Sequence, residues 1–176
     1  MFRWLEDQFL STRDFMETGG PILWVIALTI FLMWLLIVER LVFFSTTLPR
    51  LVQGAKDKWE SRSERRSWNA HRIREAVVSD VELATQMWLG PIKTLVALCP
   101  LLGLMGTVTG MIKVFEVMAL SGSGNVRAMA QGVSQATIPT MAGMVGALSG
   151  VLLITILTRR SQREVEMLED SLTMDH

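Results

Sequence analysis

Apolar residues along this chain gather into three long blocks, and most charged residues lie between or beside them. The first block runs from Ile22 to Val38, 17 residues without a charge, and residues 41–44 continue it past the Glu39-Arg40 pair. The other uncharged stretches are residues 94–112, which number 19, and residues 128–158, which number 31. A hydrocarbon core of about 30 Å takes roughly 20 helical residues to cross. The pattern therefore predicts three transmembrane helices, of which the third overshoots the membrane.

The distribution of Lys and Arg predicts the orientation of these spans, because cytoplasmic loops carry the excess of positive charge. Two such residues precede the first span and one lies between spans two and three. The loop of residues 45–89 holds eight, and the tail after Thr158 holds three. Eleven against three predicts that the long loop and the C-terminus are cytoplasmic and that the N-terminus lies outside, on the opposite side of the membrane.

The fold class that follows is an all-α, polytopic membrane protein whose second and third spans extend into the cytoplasm as helices. Residues 2–17 place Phe2, Leu5 and Phe9 at helical spacing, which predicts an interfacial amphipathic helix that ends at Gly19-Gly20-Pro21. The cytoplasmic loop is helix-prone and predicts continuations of spans one and two. The predicted segments are a periplasmic interfacial helix (1–20), span one (21–44), a cytoplasmic helical loop (45–89), span two (90–118), a periplasmic loop (119–130), span three (131–158) and a cytoplasmic C-terminal helix (159–176).

The amino-acid composition and the residue types within the spans argue against several classes of function. The formal net charge is +0, which argues against a protein that neutralises nucleic-acid phosphates. One cysteine excludes an internal disulfide, and His71 and His176 are too isolated to indicate a metal site, so we expect no metal and no cofactor. No span carries a carboxylate pair or a nucleophile with a base, and we therefore expect no enzyme.

Glycines recur in spans two and three with the same spacing, three residues and then four. Small residues at such intervals let helix backbones approach closely in lipid, where packing rather than hydrophobicity drives association. We predict a helix-packing role for both sets, which are Gly103, Gly106 and Gly110, and Gly143, Gly146 and Gly150.

Threonines form a stripe beside the glycine face of span three. Thr137, Thr140, Thr155 and Thr158 fall within about 60° of one another around a helix. Thr107 of span two reaches a similar depth. Pro139 lacks an N–H and frees the carbonyl of Gln135, four residues before it. With Thr137, the residues Thr107, Gln135 and Thr140 could line a narrow wet path; alternatively, the hydroxyls bond to their own helices.

No ionisable side chain lies near the middle of a span. Lys113 and Glu116 resemble an interfacial pair at the outer end of span two, and Arg160 stands four residues before Glu164, a spacing that favours a helical ion pair. If protons cross the membrane here, the titrating acid must come from another polypeptide. Because three helices cannot surround a path by themselves, we also expect a homo-oligomer.

Two stretches resemble a known family. CPLLGLMGTVTGMIKVF, from Cys99 to Phe115, looks like the span-two signature of the MotA/TolQ/ExbB proton-channel family. GVSQATIPTMAGMVGALSG, from Gly132 to Gly150, is similar to its span-three signature, and Glu39-Arg40 matches the pair after its first span. Chain length and three spans favour the ExbB branch over TolQ, which is longer, and over the flagellar stator protein, which has a fourth span. The short loop and the GSGN turn resemble the compact form of second Ton systems.

This resemblance implies a predominantly pentameric inner-membrane bundle, with spans two and three around a central pore and span one outside. The pore would hold the single membrane helices of an ExbD-like partner, whose aspartate titrates, and the complex would use the proton-motive force to drive a TonB-like protein that energises import of iron chelates and similar cargo. The family's pore threonines fall on Thr107 and Thr140. The family often has a glutamate where this chain has Gln135, and a small residue where it has Pro139.

Three other functions stay open at this point. One is a TolQ-like motor for another envelope process. A second is a passive membrane scaffold, whose glycines pack and whose threonines have no transport role. A transmembrane enzyme is the weakest of the three.

Overall fold

The computed structural model describes residues 2–61, 68–121 and 126–172, which are helical almost throughout. In chain order its elements are α1 (Phe2–Glu60), α2 (Trp68–Gln86), α3 (Leu89–Ser121) and α4 (Val126–Ser171). No strand occurs in these described ranges, and the all-α prediction is confirmed. The predicted turn at residues 121–125 falls largely outside them.

Three stretches of helix are long and apolar enough to cross a membrane, which confirms the predicted number of spans. They lie within Gly19–Glu60, Trp68–Leu120 and Met129–Ser171, and the second of these ranges contains α2 together with α3 up to Leu120. The helix α4 has 46 residues. At a rise of about 1.5 Å per residue it is roughly 70 Å long, more than twice a hydrocarbon core of about 30 Å. The third span therefore does continue as a helix well beyond its uncharged stretch.

The long helix α1 contains one break, at Gly20. Its backbone has φ 71° and ψ −168°, so two helices meet there. Glycine adopts positive φ without the steric penalty of a Cβ, and the Pro21 that follows is tolerated in the first turn of a helix because its missing N–H is not needed there. The break lies within the Gly19-Gly20-Pro21 stretch. The side chains of Phe2, Leu5 and Phe9, which carry the amphipathic prediction, are outside the described side chains.

A turn at Met87 and Trp88 separates α2 from α3, so the helical segment before span two is not a continuation of it. Trp88 has φ 68°, in the left-handed region that non-glycine residues rarely occupy. The physical reason lies three residues later: Pro91 has no N–H to donate to the carbonyl of Met87, so an unbroken helix would lose this bond. The helix resumes with a bond of 3.1 Å from the Ile92 N–H to the Trp88 carbonyl.

The chain divides into two compact units, of which the first comprises residues 1–33 and 94–150. Three helices contribute to its core, because α1, α3 and α4 each bury small and aliphatic side chains on one face. Its buried residues include Leu23, Ile26 and Met33 of α1, Val96, Cys99 and Val114 of α3, and Ala136, Pro139 and Ala147 of α4.

The second unit comprises residues 34–93 and 151–176. Its buried apolar residues include Ile37, Phe44, Leu48, Val81, Ile92, Leu157 and Leu168. A charged side chain is buried among them: Arg40 is only 2% exposed. Its guanidinium pairs with the Glu39 carboxylate (Nε to Oε2 2.9 Å), donates to the Ala84 carbonyl (3.1 Å) and lies 4.5 Å from the centre of the Phe43 ring. Arg40 thus joins α1 to α2.

Candidate functional site

The glycines of α3 lie where its backbone meets α4. A Cβ placed on Gly103 would lie 2.9 Å from the Cα of Thr140. One on Gly110 would lie 2.5 Å from the Cβ of Ala136, and one on Gly106 would collide with the Pro139 ring. Real Cβ atoms do not approach other carbons this closely, so α3 and α4 can pack at this separation only because these positions lack side chains.

The glycines of α4 are divided between two neighbouring helices. A Cβ on Gly143 would collide with the Cys99 carbonyl of α3, whereas one on Gly146 would collide with Ile30 of α1. Gly150 is close to both helices, with Met33 Sδ and Val96 Cγ2 each 2.5 Å from its Cβ position. The glycines of α4 have the same sequence spacing as those of α3, but they contact α1 as well as α3.

Gly132 is a further close contact that the sequence analysis does not assign to packing. A Cβ there would collide with the Val114 side chain of α3. The signal was present, because Gly132 lies eleven residues, or about three helical turns, before Gly143 and therefore on the same face of α4.

The hydroxyls of the predicted pore threonines have different partners. Thr107 Oγ1 donates to the Leu104 carbonyl at 2.7 Å, and Thr137 Oγ1 donates to the Ser134 carbonyl at 2.8 Å, so both bond within their own helices. Thr140 Oγ1 instead donates across to the Gly103 carbonyl of α3 at 2.8 Å. The local alternative holds for the first two and not for Thr140, whose hydroxyl bridges α3 and α4.

Helical geometry places Thr107 and Thr140 on the same side of the α3–α4 contact, the side away from α1. On α4, Thr140 lies about 120° around the helix from Gly146, which faces α1. On α3, Thr107 lies about 160° from Thr109. Thr109 lines a cavity together with residues 19–22 of α1. Thr137 lies within about 60° of Thr140 and shares this side.

Gln135 lies on the opposite side of α4, about 140° from Thr140. It lines that cavity, which has a volume of about 600 Å³, together with Lys113 of α3 and Gln131 of α4. Thr107 and Thr140 are not among its lining residues. The structure therefore places the threonines on one side of the α3–α4 contact and Gln135 on the other. Within this chain, Gln135 and the threonines do not share one surface.

Pro139 lies at the α3–α4 contact, between these two sides of α4. The residue is fully buried, and its ring occupies the space in front of Gly106. Because proline has no N–H, the Gln135 carbonyl loses its usual donor one turn later. The Gln135 carbonyl therefore lies in the same turn of α4 as the Gln135 side chain, which lines the cavity. In the next turn, the hydrogen bond from Thr140 to the Gly103 carbonyl joins α4 to α3.

Charged groups near the spans make fewer pairs than the sequence predicts. Among the described residues, no ion pair joins Lys113 to Glu116 or Arg160 to Glu164. The Lys113 side chain lines the cavity, and the Arg160 guanidinium lies 5.8 Å from the centre of the Phe44 ring. In the described part of the chain there is also no cluster of three or more His, Cys, Asp or Glu side chains that could hold a metal ion.

The profile of the MotA/TolQ/ExbB proton channel family matches residues 45–170. An ExbB-like biopolymer transport protein of Synechocystis is 36% identical over 78 residues, which are 43% of this chain and 31% of that protein. An ExbB homolog of Methanothermobacter thermautotrophicus is 35% identical over 81 residues, 46% of this chain and 28% of that protein.

The biopolymer transport protein ExbB of Salmonella typhimurium is 32% identical over 71 residues, 40% of this chain and 29% of that protein. The matches therefore span less than a third of each of these three relatives. The family profile, by contrast, covers well over half of this chain, and its match includes both close-packed helices and all the threonines described above. The chain belongs to the MotA/TolQ/ExbB proton channel family.

Proposed function

We propose that this chain is the ring-forming subunit of a proton-driven motor in the bacterial inner membrane. Several copies, five by resemblance to the family, would surround the single membrane helices of an ExbD-like protein. That partner would carry the carboxyl group that takes up and releases protons. The motor would act on a TonB-like protein and so energise import across the outer membrane.

The observation that carries this proposal is the polar side of the α3–α4 contact. Thr107, Thr137 and Thr140 lie on it, in helices whose uncharged stretches contain no carboxylate of their own. A polar surface in the membrane is stable when it faces protein or a water-filled cavity rather than lipid. We therefore place this side toward a pore that holds the acid of another chain.

Exposed apolar residues on α3 support the assembly of copies into a ring. Leu101, Leu104 and Val108 are 61%, 59% and 54% exposed, and Ile112 and Phe115 continue the same stripe at 59% each. A stripe of this length on a helix beside the threonine side can pack against the next copy. In this arrangement α1, which packs on the other side of the α3–α4 contact, lies outside the ring.

The orientation that we propose follows from charge. The eleven Lys and Arg residues of the long loop and the C-terminal tail face the cytoplasm. The N-terminus and the loop between α3 and α4 then lie in the periplasm, where the partner's outer segment and a TonB-like protein would be reached.

The test replaces hydroxyls with methyl groups of similar volume. Thr107→Val and Thr140→Val should each lower receptor-dependent uptake of a ferric chelate by more than tenfold, because the path for the partner's acid loses polar groups. Uptake is measured in cells that express this chain as their only copy, and proton flux is measured in vesicles that contain the chain with its one-span partner. Abundance and co-purification of that partner should stay normal.

Thr109→Val is the matched control. The Thr109 hydroxyl also bonds within its own helix, to the Met105 carbonyl at 3.0 Å, but it lies on the cavity side of α3. It should leave uptake unchanged. Gln135→Ala should be milder than either pore variant, because the amide neither takes up nor releases a proton and lies away from the threonines.

Two results would refute the proposal. Normal uptake and flux in both Thr107→Val and Thr140→Val would favour a passive scaffold. Normal uptake after deletion of the whole chain, with loss of another envelope property such as outer-membrane integrity, would instead favour a TolQ-like motor.

A further inference from the structure

Three arginines follow the last uncharged residue of α4. Arg159, Arg160 and Arg163 come within five residues of Thr158, and all three are exposed. They fall within about 100° around the helix, so they form one basic face. This face borders an open cavity of about 530 Å³ on the surface of α4, whose other lining residues are Ile156, Glu164 and Met167.

The positive charge of this basic face is only partly compensated in the described part of the chain. None of the three guanidiniums forms an ion pair with a described carboxylate. The Glu164 carboxylate lines the cavity, which leaves an excess of two positive charges there. Arg160 lies near the Phe44 ring, a contact that leaves its charge uncompensated.

A second cavity extends the basic face toward α3. It has a volume of about 310 Å³ and shares Arg159 with the first cavity. It adds Lys93, the last charged residue before the uncharged stretch that begins at Thr94, and the apolar side chain of Ile154. Both helices thus change from uncharged to basic at the same pair of cavities, as expected where a span leaves the hydrocarbon.

This chemistry fits a phosphate diester with an attached hydrocarbon chain. Guanidinium groups bind phosphate oxygens through paired hydrogen bonds, and an ammonium adds a point charge. Basic residues beside a span attract the headgroups of anionic lipids. Ile156, 53% exposed and one turn inside the boundary, provides an apolar wall that a free phosphate ion would not use.

We propose that Arg159, Arg160, Arg163 and Lys93 bind the phosphate headgroup of an anionic phospholipid, with an acyl chain against the exposed side chain of Ile156. The site is independent of the proton path and requires only that α3 and α4 cross a membrane.

The test measures lipid binding to the purified complex in detergent by native mass spectrometry. Phosphatidylglycerol or phosphatidylcholine is added, with and without inorganic phosphate. The wild type should retain phosphatidylglycerol in preference to phosphatidylcholine, and raised salt should weaken only the former. The double variant Arg159→Gln, Arg163→Gln should bind phosphatidylglycerol about thirtyfold more weakly. This factor corresponds to about 2 kcal/mol for the two lost charges, since each factor of ten is worth about 1.4 kcal/mol.

The control carries the same change of charge elsewhere in the second unit. Arg50→Gln, Lys58→Gln removes two exposed basic side chains of α1 and should leave phosphatidylglycerol binding unchanged. If the double variant does not fold, the salt dependence in the wild type still decides the question, because retention that is insensitive to salt would overturn the proposal.

Three other results would also overturn it. Equal retention of both lipids would show that charge does not select the ligand. Complete displacement by inorganic phosphate would indicate a free-anion site. A loss of oligomer mass in the arginine variant, with unchanged phosphatidylglycerol binding, would show that the basic face contacts a second copy of the chain.

Discussion

Replacing Gly143 by alanine tests the close contact between α4 and α3 at a single methyl group. The added Cβ would collide with the Cys99 carbonyl oxygen and lie 3.3 Å from the Gly103 Cα. All of these are backbone atoms, which cannot turn aside as a flexible side chain can. The helices must therefore separate locally, and overpacking of this kind typically costs about 1–3 kcal/mol.

Helix propensity has the opposite effect on stability, because it raises the free energy of unfolding when glycine is replaced by alanine. Alanine is favoured over glycine in a helix interior by about 1 kcal/mol. Gly54→Ala isolates this gain, because Gly54 lies inside α1 and no atom is found within 4 Å of its Cβ position. We expect Gly54→Ala to raise the free energy of unfolding and Gly143→Ala to lower it by up to about 2 kcal/mol.

The assay is thermal unfolding in mild detergent, followed by fluorescence of the six tryptophans. One kcal/mol corresponds to about 2–4 °C in Tm for a chain of this size. Gly143→Ala should therefore melt several degrees below Gly54→Ala. A Gly143→Ala protein as stable as Gly54→Ala, with an intact complex, would refute the close approach of α3 and α4.

Two further predictions concern stability in the second unit. Trp88→Gly should raise the free energy of unfolding by about 1 kcal/mol, because glycine tolerates φ 68° and the tryptophan side chain is 46% exposed. A lower Tm would show that the packing of the Trp88 ring stabilises the protein by more than its backbone conformation destabilises it. Arg74→Gln should lower the free energy of unfolding by about 1–2 kcal/mol. The Arg74 guanidinium donates to the Leu172 carbonyl at 2.9 Å and to the Glu169 carbonyl at 2.7 Å, near the end of α4, and the variant loses these bonds. The control Arg72→Gln removes an exposed pair of 3.4 Å with Glu75 and should change Tm little, so an equal effect of both variants would contradict the role given to Arg74.

The number of spans could be predicted from sequence because a long uncharged stretch has few alternatives to a membrane helix. The helix-prone character of the loop predicts a helix that continues into span two, whereas the structure has a turn at Met87 and Trp88, for which Pro91 is a signal in the sequence. The burial of Arg40 could not be predicted, since its carbonyl acceptor at Ala84 lies 44 residues away in the chain.

The candidate site was predictable in its residues and less so in its arrangement. Five residues separate Gln135 from Thr140, a spacing that places them about 140° apart on a helix, so their separation could have been found from the sequence. The different partners of Gly143 and Gly146 could not, because spacing along one helix does not say which neighbour faces it. The same holds for Thr140, whose bond to the Gly103 carbonyl depends on the α3–α4 register.

The direction of the threonine hydrogen bonds bears on how this surface would treat the partner's acid. A hydroxyl has one hydrogen to donate and two lone pairs that accept. Thr107, Thr137 and Thr140 all donate that hydrogen to backbone carbonyls. What remains toward the proposed pore is acceptor capacity, which suits a protonated carboxyl group and offers no donor to a carboxylate. Because an unpaired charge in the membrane is costly, a surface of this kind would stabilise the neutral acid along the pore and leave release of the proton to water at its end.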